Sequence, residues 1–166
     1  MNFKEYSILL RDAAVAAASA AAAMRIVMPV IVKQSSMEET LHPNDRLLVS
    51  RLAYTGAKEP ARGDIIVFRD KKADQGRKKF LIKRVIGLPG ETVRTENGTV
   101  AIDGRTLDEP YLNGCPTPDG EITECRVPES SFFVMGDNRR FSRDSRLRSV
   151  GCVPKERIVG KVIGIR

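Results

Sequence analysis

The chain has 166 residues, a formal charge of +7 from 28 Lys and Arg against 21 Asp and Glu, and 42% hydrophobic residues. That fits one globular domain and excludes wholesale disorder. A mean hydropathy of -0.24 leaves room for one membrane span at most, three cysteines exclude a disulfide-dense scaffold, and the single His42 excludes a multi-histidine metal site.

In chain order, the first predicted element is a helix. Residues 13–23 carry nine alanines in eleven positions, and extension back to Tyr6 gives residues 6–24, about 28 Å of helix against a hydrocarbon core of about 30 Å. Arg11 and Asp12 lie near one end, where Arg11 can snorkel to headgroups, and Arg25 would mark the other interface. Residues 1–30 therefore read as a cytoplasmic end plus one weak transmembrane anchor. A soluble alanine helix and a cleaved signal peptide are the competing readings. Charge leaves the orientation open, with Lys4 and Arg11 on one side and Arg25 and Lys33 on the other.

Next comes Gln34-Ser35-Ser36-Met37-Glu38-Glu39-Thr40-Leu41, then a turn-like His42-Pro43-Asn44-Asp45 and the apolar run 46–50. Taken alone, serines before glutamates read as a helix cap or loop. Beyond Asp45, short β-runs alternate with turn signals: 65–68, 80–86, 91–95, 99–102, 105–107, 131–135 and 158–165. Asn97-Gly98 and Asp103-Gly104 are hairpin turns, and the turn accounts for Asn97-Gly98-Thr99 without glycosylation. The pattern predicts a mainly β fold, a barrel or sandwich, over residues 31–166. Residues 69–79 carry six basic and two acidic residues. They read as a solvated loop or, with an anchor, as a contact for anionic membrane lipids. Nucleic acid is not expected as a partner, because no recognition motif accompanies the charge and aromatics are only 5%.

Lys83 stands out within the run 80–86. Strand alternation places it on one face with Leu81 and Val85, while Arg84 shares the other face with Ile82 and Ile86. An amine in an apolar row either snorkels to water or loses its proton. To act as a base near neutrality its pKa must fall from about 10.4 toward about 7–8, and a serine beside it would then become a nucleophile without histidine. His42 reads as a surface turn residue. Cys115 and Cys125, ten apart, could bridge in an oxidising compartment, and Cys152 reads as a small buried apolar residue.

Four stretches together resemble the ordered boxes of type I signal peptidases. They are Ser36-Met37-x-x-Thr40-Leu41, Gly63-Asp64-Ile65-Ile66-Val67-Phe68, Lys83-Arg84-Val85-Ile86-Gly87-Leu88-Pro89-Gly90-Glu91 and Gly136-Asp137-Asn138-Arg139-x-x-Ser142-x-Asp144-Ser145-Arg146. Glu109-Pro110-Tyr111-Leu112 and Ile158-Val159-Gly160-Lys161 fit as well. The resemblance implies a minimal, membrane-anchored serine endopeptidase, single-pass in the cell membrane with its β domain on the extracytoplasmic face. It would cut signal peptides from secretory preproteins after small residues, at A-x-A-like sites, without a metal or cofactor. It further implies Ser36 as nucleophile and Lys83 as general base. Gln34, Arg84, Asp137, Arg139, Ser142, Asp144 and Arg146 would support them, with Ser142 orienting the amine and Asp144 paired to Arg146. Met37, Leu81 and Ile82 would line the substrate site, and the oligomeric state is not implied. Two positions depart from the family pattern: Glu39 stands where proline is usual, and Gln34 where some members carry an oxyanion-donating serine. A catalytically impaired scaffold of the same fold is the alternative that these departures raise.

Overall fold

The computed structural model describes residues 6, 8, 10–16, 26–71 and 80–165. Among these described residues eleven strands follow in chain order: β1 (Val27–Ile31), β2 (Arg46–Ser50), β3 (Ile65–Arg69), β4 (Phe80–Gly87), β5 (Thr92–Glu96), β6 (Thr99–Ile102), β7 (Arg105–Thr106), β8 (Glu124–Arg126), β9 (Ser131–Met135), β10 (Val153–Pro154) and β11 (Ile158–Ile165). Seven form one sheet in the order β1-β2-β11-β3-β4-β9-β10, and four form a second in the order β7-β6-β5-β8. Every pairing is antiparallel. The mainly β expectation holds.

The N-terminal part of that expectation does not. Among the described residues no helix is long and apolar enough to cross a membrane, which overturns the transmembrane anchor and the single-pass placement built on it. Two physical reasons are visible. The described helical residues 10–16 carry the Arg11–Asp12 pair, 3.2 Å apart and exposed, and alanine contributes little apolar surface per turn. At the other end, β-branched Val27, Val30 and Ile31 favour a strand, and this strand pairs with β2 from Val27↔Ser50 to Ile31↔Arg46. The division expected between residues 30 and 31 thus falls inside β1. Lys4, Arg25 and residues 17–24 of the alanine run lie outside the described residues, as do residues 72–79 of the basic loop.

Turn chemistry sets the small sheet. Asn97 and Gly98 both have positive φ (52° and 78°), as do Asp103 and Gly104 (48° and 78°), the left-handed pairs that tight hairpins require. Three clusters make the core. One joins Ile66, Phe68, Leu81, Val85, Phe132 and Val134 with Val150 and Val153. A second, around Ile86, Val93, Val100, Phe133 and Met135, glues the two sheets together. The third lies under the β1–β2 connection and holds Val32, Met37, Leu41, Leu47, Val49 and Val67. β4 contributes to the first through Leu81 and Val85 and to the second through Ile86, so it links the two clusters.

Where β4 ends, the sheets touch at Gly87. A Cβ there would lie 2.3 Å from Val93 Cγ2 and 3.0 Å from Val127 Cγ2. Gly87→Ala should therefore overpack the joint and destabilise the fold by about 1–3 kcal/mol. A calorimetric melting temperature lower by several degrees is the expected reading, and an unchanged melt would show that the joint has slack.

Candidate active site

Ser36 sits in the irregular connection between β1 and β2. That connection is closed by Val32 N–H donating to Asp45 O (3.0 Å) and Asn44 N–H donating to Val32 O (2.8 Å). Met37 and Leu41 are buried in the third cluster, so apolar burial pins the turn from below. Asn138 pins it from the side: its N–H donates to Ser36 O (3.2 Å) and its Nδ2 to Ser35 O (3.1 Å). The approach needs a glycine. A Cβ on Gly136 would sit 2.3 Å from Ser36 O and 2.2 Å from Ser142 Oγ.

Lys83 enters from the middle of β4, opposite Ile66 of β3, and is only 1% exposed. Its Nζ lies 2.6 Å from Ser36 Oγ and donates to Ile82 O at 2.8 Å. Desolvation by burial is the largest influence on its acidity and lowers its pKa from 10.5 to about 8. Asp144 and Asp137 pull the value back up, and Arg143 and Arg146 push it down. The amine is thus near its titration point at mild pH and in contact with a hydroxyl.

Around this pair the polar side chains form two closed networks. Arg84, on the other face of β4, donates through Nε and Nη2 to both oxygens of Asp137 (2.9 and 2.6 Å), and Thr40 Oγ1 donates to Asp137 Oδ2 (2.5 Å). The guanidinium also stacks 4.0 Å over the Tyr111 ring. In the second network Arg146 holds Asp144 at 2.9 Å and donates to Arg139 O at 2.7 Å. Asp144 Oδ2 accepts from Gly136 N–H at 3.1 Å. Arg139 pairs with Glu109 at 2.5 Å and donates to Gly136 O at 3.0 Å. Asp137, Arg139, Asp144 and Arg146 are all buried, and each ion has its counter-ion.

Two clefts open at the serine. One, about 340 Å³, runs between Val30–Lys33 at the end of β1 and Phe80–Ile82 at the start of β4, with Gln34, Ser36 and Met37 at its inner end. The other, about 450 Å³, is lined by Lys33, Gln34, Ser35, Ser36, Pro43, Leu81, Lys83, Phe141 and Arg143. Of the residues singled out from sequence, Ser36, Lys83, Gln34, Met37, Leu81 and Ile82 meet at these clefts. Arg84, Asp137, Arg139, Asp144 and Arg146 form the surrounding networks. Ser142 departs from expectation. Its buried Oγ has no hydrogen-bond partner, because it packs against Gly136, and the second partner of Lys83 is the Ile82 carbonyl instead. Glu39 is exposed. Among the described residues no group of His, Cys, Asp and Glu could hold a metal.

Sequence reasoning passed over the roles of Thr40, Asn138, Glu109 and Tyr111, although all stand within the quoted boxes. It passed over Phe141 and Arg143 entirely, since residues 139–151 follow no strand period. Phe141 is 74% exposed, and Arg143 pairs with Asp70. The cysteine expectation is also corrected: all three thiols are free, Cys115 is exposed, and Cys125 lies beside Cys152.

Comparison with known proteins adds an independent finding. The family described as signal peptidase, peptidase S26, matches residues 6–165. A probable signal peptidase I-2 of Synechocystis sp. is 41% identical over 133 residues, covering 78% of this chain and 58% of that protein. A signal peptidase I of Leptolyngbya laminosa is 42% identical over 136 residues, covering 80% and 64%. The chain therefore spans about three fifths of the length of these relatives. A crystal structure of a signal peptidase I from Enterococcus faecalis superposes with a TM-score of 0.53 at 37% identity, covering 66% of this chain and all of that one.

The buried amine has a thermodynamic signature. Its folded-state pKa of about 8 lies below the ordinary value, so the unfolded chain binds this proton more tightly. Between about pH 8 and pH 10.5 stability then rises with pH, and below about 8 the full penalty is present, roughly 3 kcal/mol. Lys83→Met removes it. The stability of the variant relative to wild type, from denaturant midpoints, should be highest at pH 7 and fall by roughly that amount toward pH 10.5. A difference independent of pH would mean that the amine keeps its ordinary pKa.

Proposed function

The chain belongs to the signal peptidase family, peptidase S26, and from that membership we propose that it is a serine endopeptidase that removes signal peptides from secretory preproteins after small residues. The observation that carries the reading is the 2.6 Å contact between Ser36 Oγ and a buried Lys83 amine.

The mechanism follows from the geometry. Neutral Lys83 Nζ accepts the Ser36 hydroxyl proton, and the alkoxide attacks the scissile carbonyl. Ser36 N–H and the Gln34 side-chain amide, exposed at the mouth of both clefts, are the donors available to the developing oxyanion. One such donor is worth roughly 10²–10³ in turnover. Protonated Lys83 then gives its proton to the leaving amine, and neutral again, it activates water to hydrolyse the acyl-enzyme. The Ile82 carbonyl holds the amine in line, and the two ion-pair networks are positioning elements. They fix the Ser36 turn and the 136–146 segment so that the pair stays within about 1 Å of productive geometry, a tolerance beyond which about 10²-fold in rate is lost.

The substrate is read as an extended strand laid between residues 31–34 and 80–83, paired through main-chain groups. Met37, Leu81 and Ile82 form an apolar floor that suits small side chains. Lys83 lines the second cleft and not the first, so the residues after the cut, whose amine it protonates, leave past Phe141 and Arg143.

The experiment is cleavage of a preprotein with an A-x-A site by the full chain, Ser36→Ala and Lys83→Met. Wild type alone should cut, after the small residue, with a rate that climbs as pH rises through about 8 while Lys83 sheds its proton. A folded wild type that cuts nothing, or a Lys83→Met variant with full activity, overturns the reading.

Anionic lipid headgroups are the second partner we infer, supported by the net charge of +7 and the basic run at 69–79. The chain should sediment with vesicles of anionic lipid at low salt and be released at high salt. Equal binding to neutral vesicles would remove the inference.

A further inference from the structure

Cys125 and Cys152 are 27 residues apart in the chain, yet their Sγ atoms lie 3.5 Å from each other. Their positions in the fold are particular. Cys125 is the central residue of β8, the edge of the four-stranded sheet, where it is paired with Val93. Cys152 immediately precedes β10, the edge of the seven-stranded sheet, where Val153 is paired with Phe132. Both side chains are partly buried and pack against the cluster that joins the sheets. Cys115, the third thiol, is exposed.

We propose that Cys125 and Cys152 are a disulfide-forming dithiol, a modification site that staples the edges of the two sheets to one another. The sulfurs already touch, and closing to the bonded distance of about 2.05 Å asks less than 1 Å of movement from each. The chain enclosed between them contains β9 and the whole 136–146 segment, with Asp137, Arg139, Asp144 and Arg146. The bond therefore closes a loop around the polar networks beside Ser36.

The oxidant is a low-molecular-weight disulfide such as glutathione disulfide. One cysteine, as thiolate, attacks it, forming a mixed disulfide and expelling one thiolate. The second cysteine, having lost its proton, attacks the protein sulfur of that mixed disulfide and expels the other. Two protein thiols are oxidised and one small disulfide is reduced to two thiols, which take up the two S–H protons. Burial raises the pKa of the Cys152 thiol well above its ordinary value, and the nearby Lys71 ammonium only partly offsets this. Exchange is accordingly slow at neutral pH and faster in mild alkali.

The test uses the full chain equilibrated with oxidised glutathione at pH 8.5, quenched by alkylation and mapped by peptide mass spectrometry. The expected product is a Cys125–Cys152 linked peptide, two hydrogen masses lighter than the sum of its parts, with Cys115 unlinked to either. A loop of this length should raise the melting temperature by about 5–10 °C, reversed by dithiothreitol. Cys125→Ala should lose that gain and Cys115→Ala keep it. Recovery of both thiols in alkylated form, separate glutathione adducts on each, a link through Cys115, or a linked protein with an unchanged melt would each overturn the proposal. None of these readouts depends on the chain's own peptidase activity, so the result stands apart from the catalytic reading.

Discussion

The whole arrangement depends on keeping one ammonium group dry. An isolated lysine in a protein interior is costly as a cation and inexpensive as an amine, and burial here brings the two forms into balance near pH 8. β4 is flanked by β3 and β9, and the face that carries Lys83 is buried along its length, so the lysine at its centre has nowhere to snorkel. The neighbouring charges oppose one another: Asp137 and Asp144 raise the lysine pKa, and Arg143 and Arg146 lower it. Desolvation outweighs these opposing fields and decides.

The same principle explains why the polar residues around the serine are buried in pairs. Removing one member of a buried ion pair typically costs 3–5 kcal/mol, because the other is left uncompensated. Arg84–Asp137 and Arg146–Asp144 therefore stabilise a geometry more than they stabilise the fold. The first joins segments distant in the chain, tying β4 to the end of β9 and, through Thr40, to the serine turn. The second lies within the 136–146 segment, and Arg146 also donates to Pro118 O at 3.0 Å.

Much of this was legible in the sequence where one residue type meets one environment. β2 to β7, β9 and β11 follow from alternation and hairpin turns, and Lys83 was conspicuous because it interrupts an apolar row. β1 was hidden by the preceding alanine run and by Pro29, which a strand tolerates here because β1 is the sheet edge. β8, Glu-Cys-Arg, and β10, two residues long, carry too little period to be seen. The Ile82 carbonyl as a lysine partner cannot be read from residue types at all, since every residue has one, and it took the place assigned to Ser142. Proximity in sequence likewise suggested Cys115 for Cys125. The sheet edges, which only topology sets, bring Cys152 there instead.

Ser36 and Lys83 are 47 positions apart, and the amide that clamps the serine turn comes from Asn138, 103 positions beyond the carbonyl it holds. A nascent chain that has just emerged past β4 already contains both reactive side chains, but neither β9 nor the segment that aligns them. Its lysine is then hydrated, protonated and inert. Alignment of the pair therefore waits on the 136–146 segment, which follows both residues in the chain.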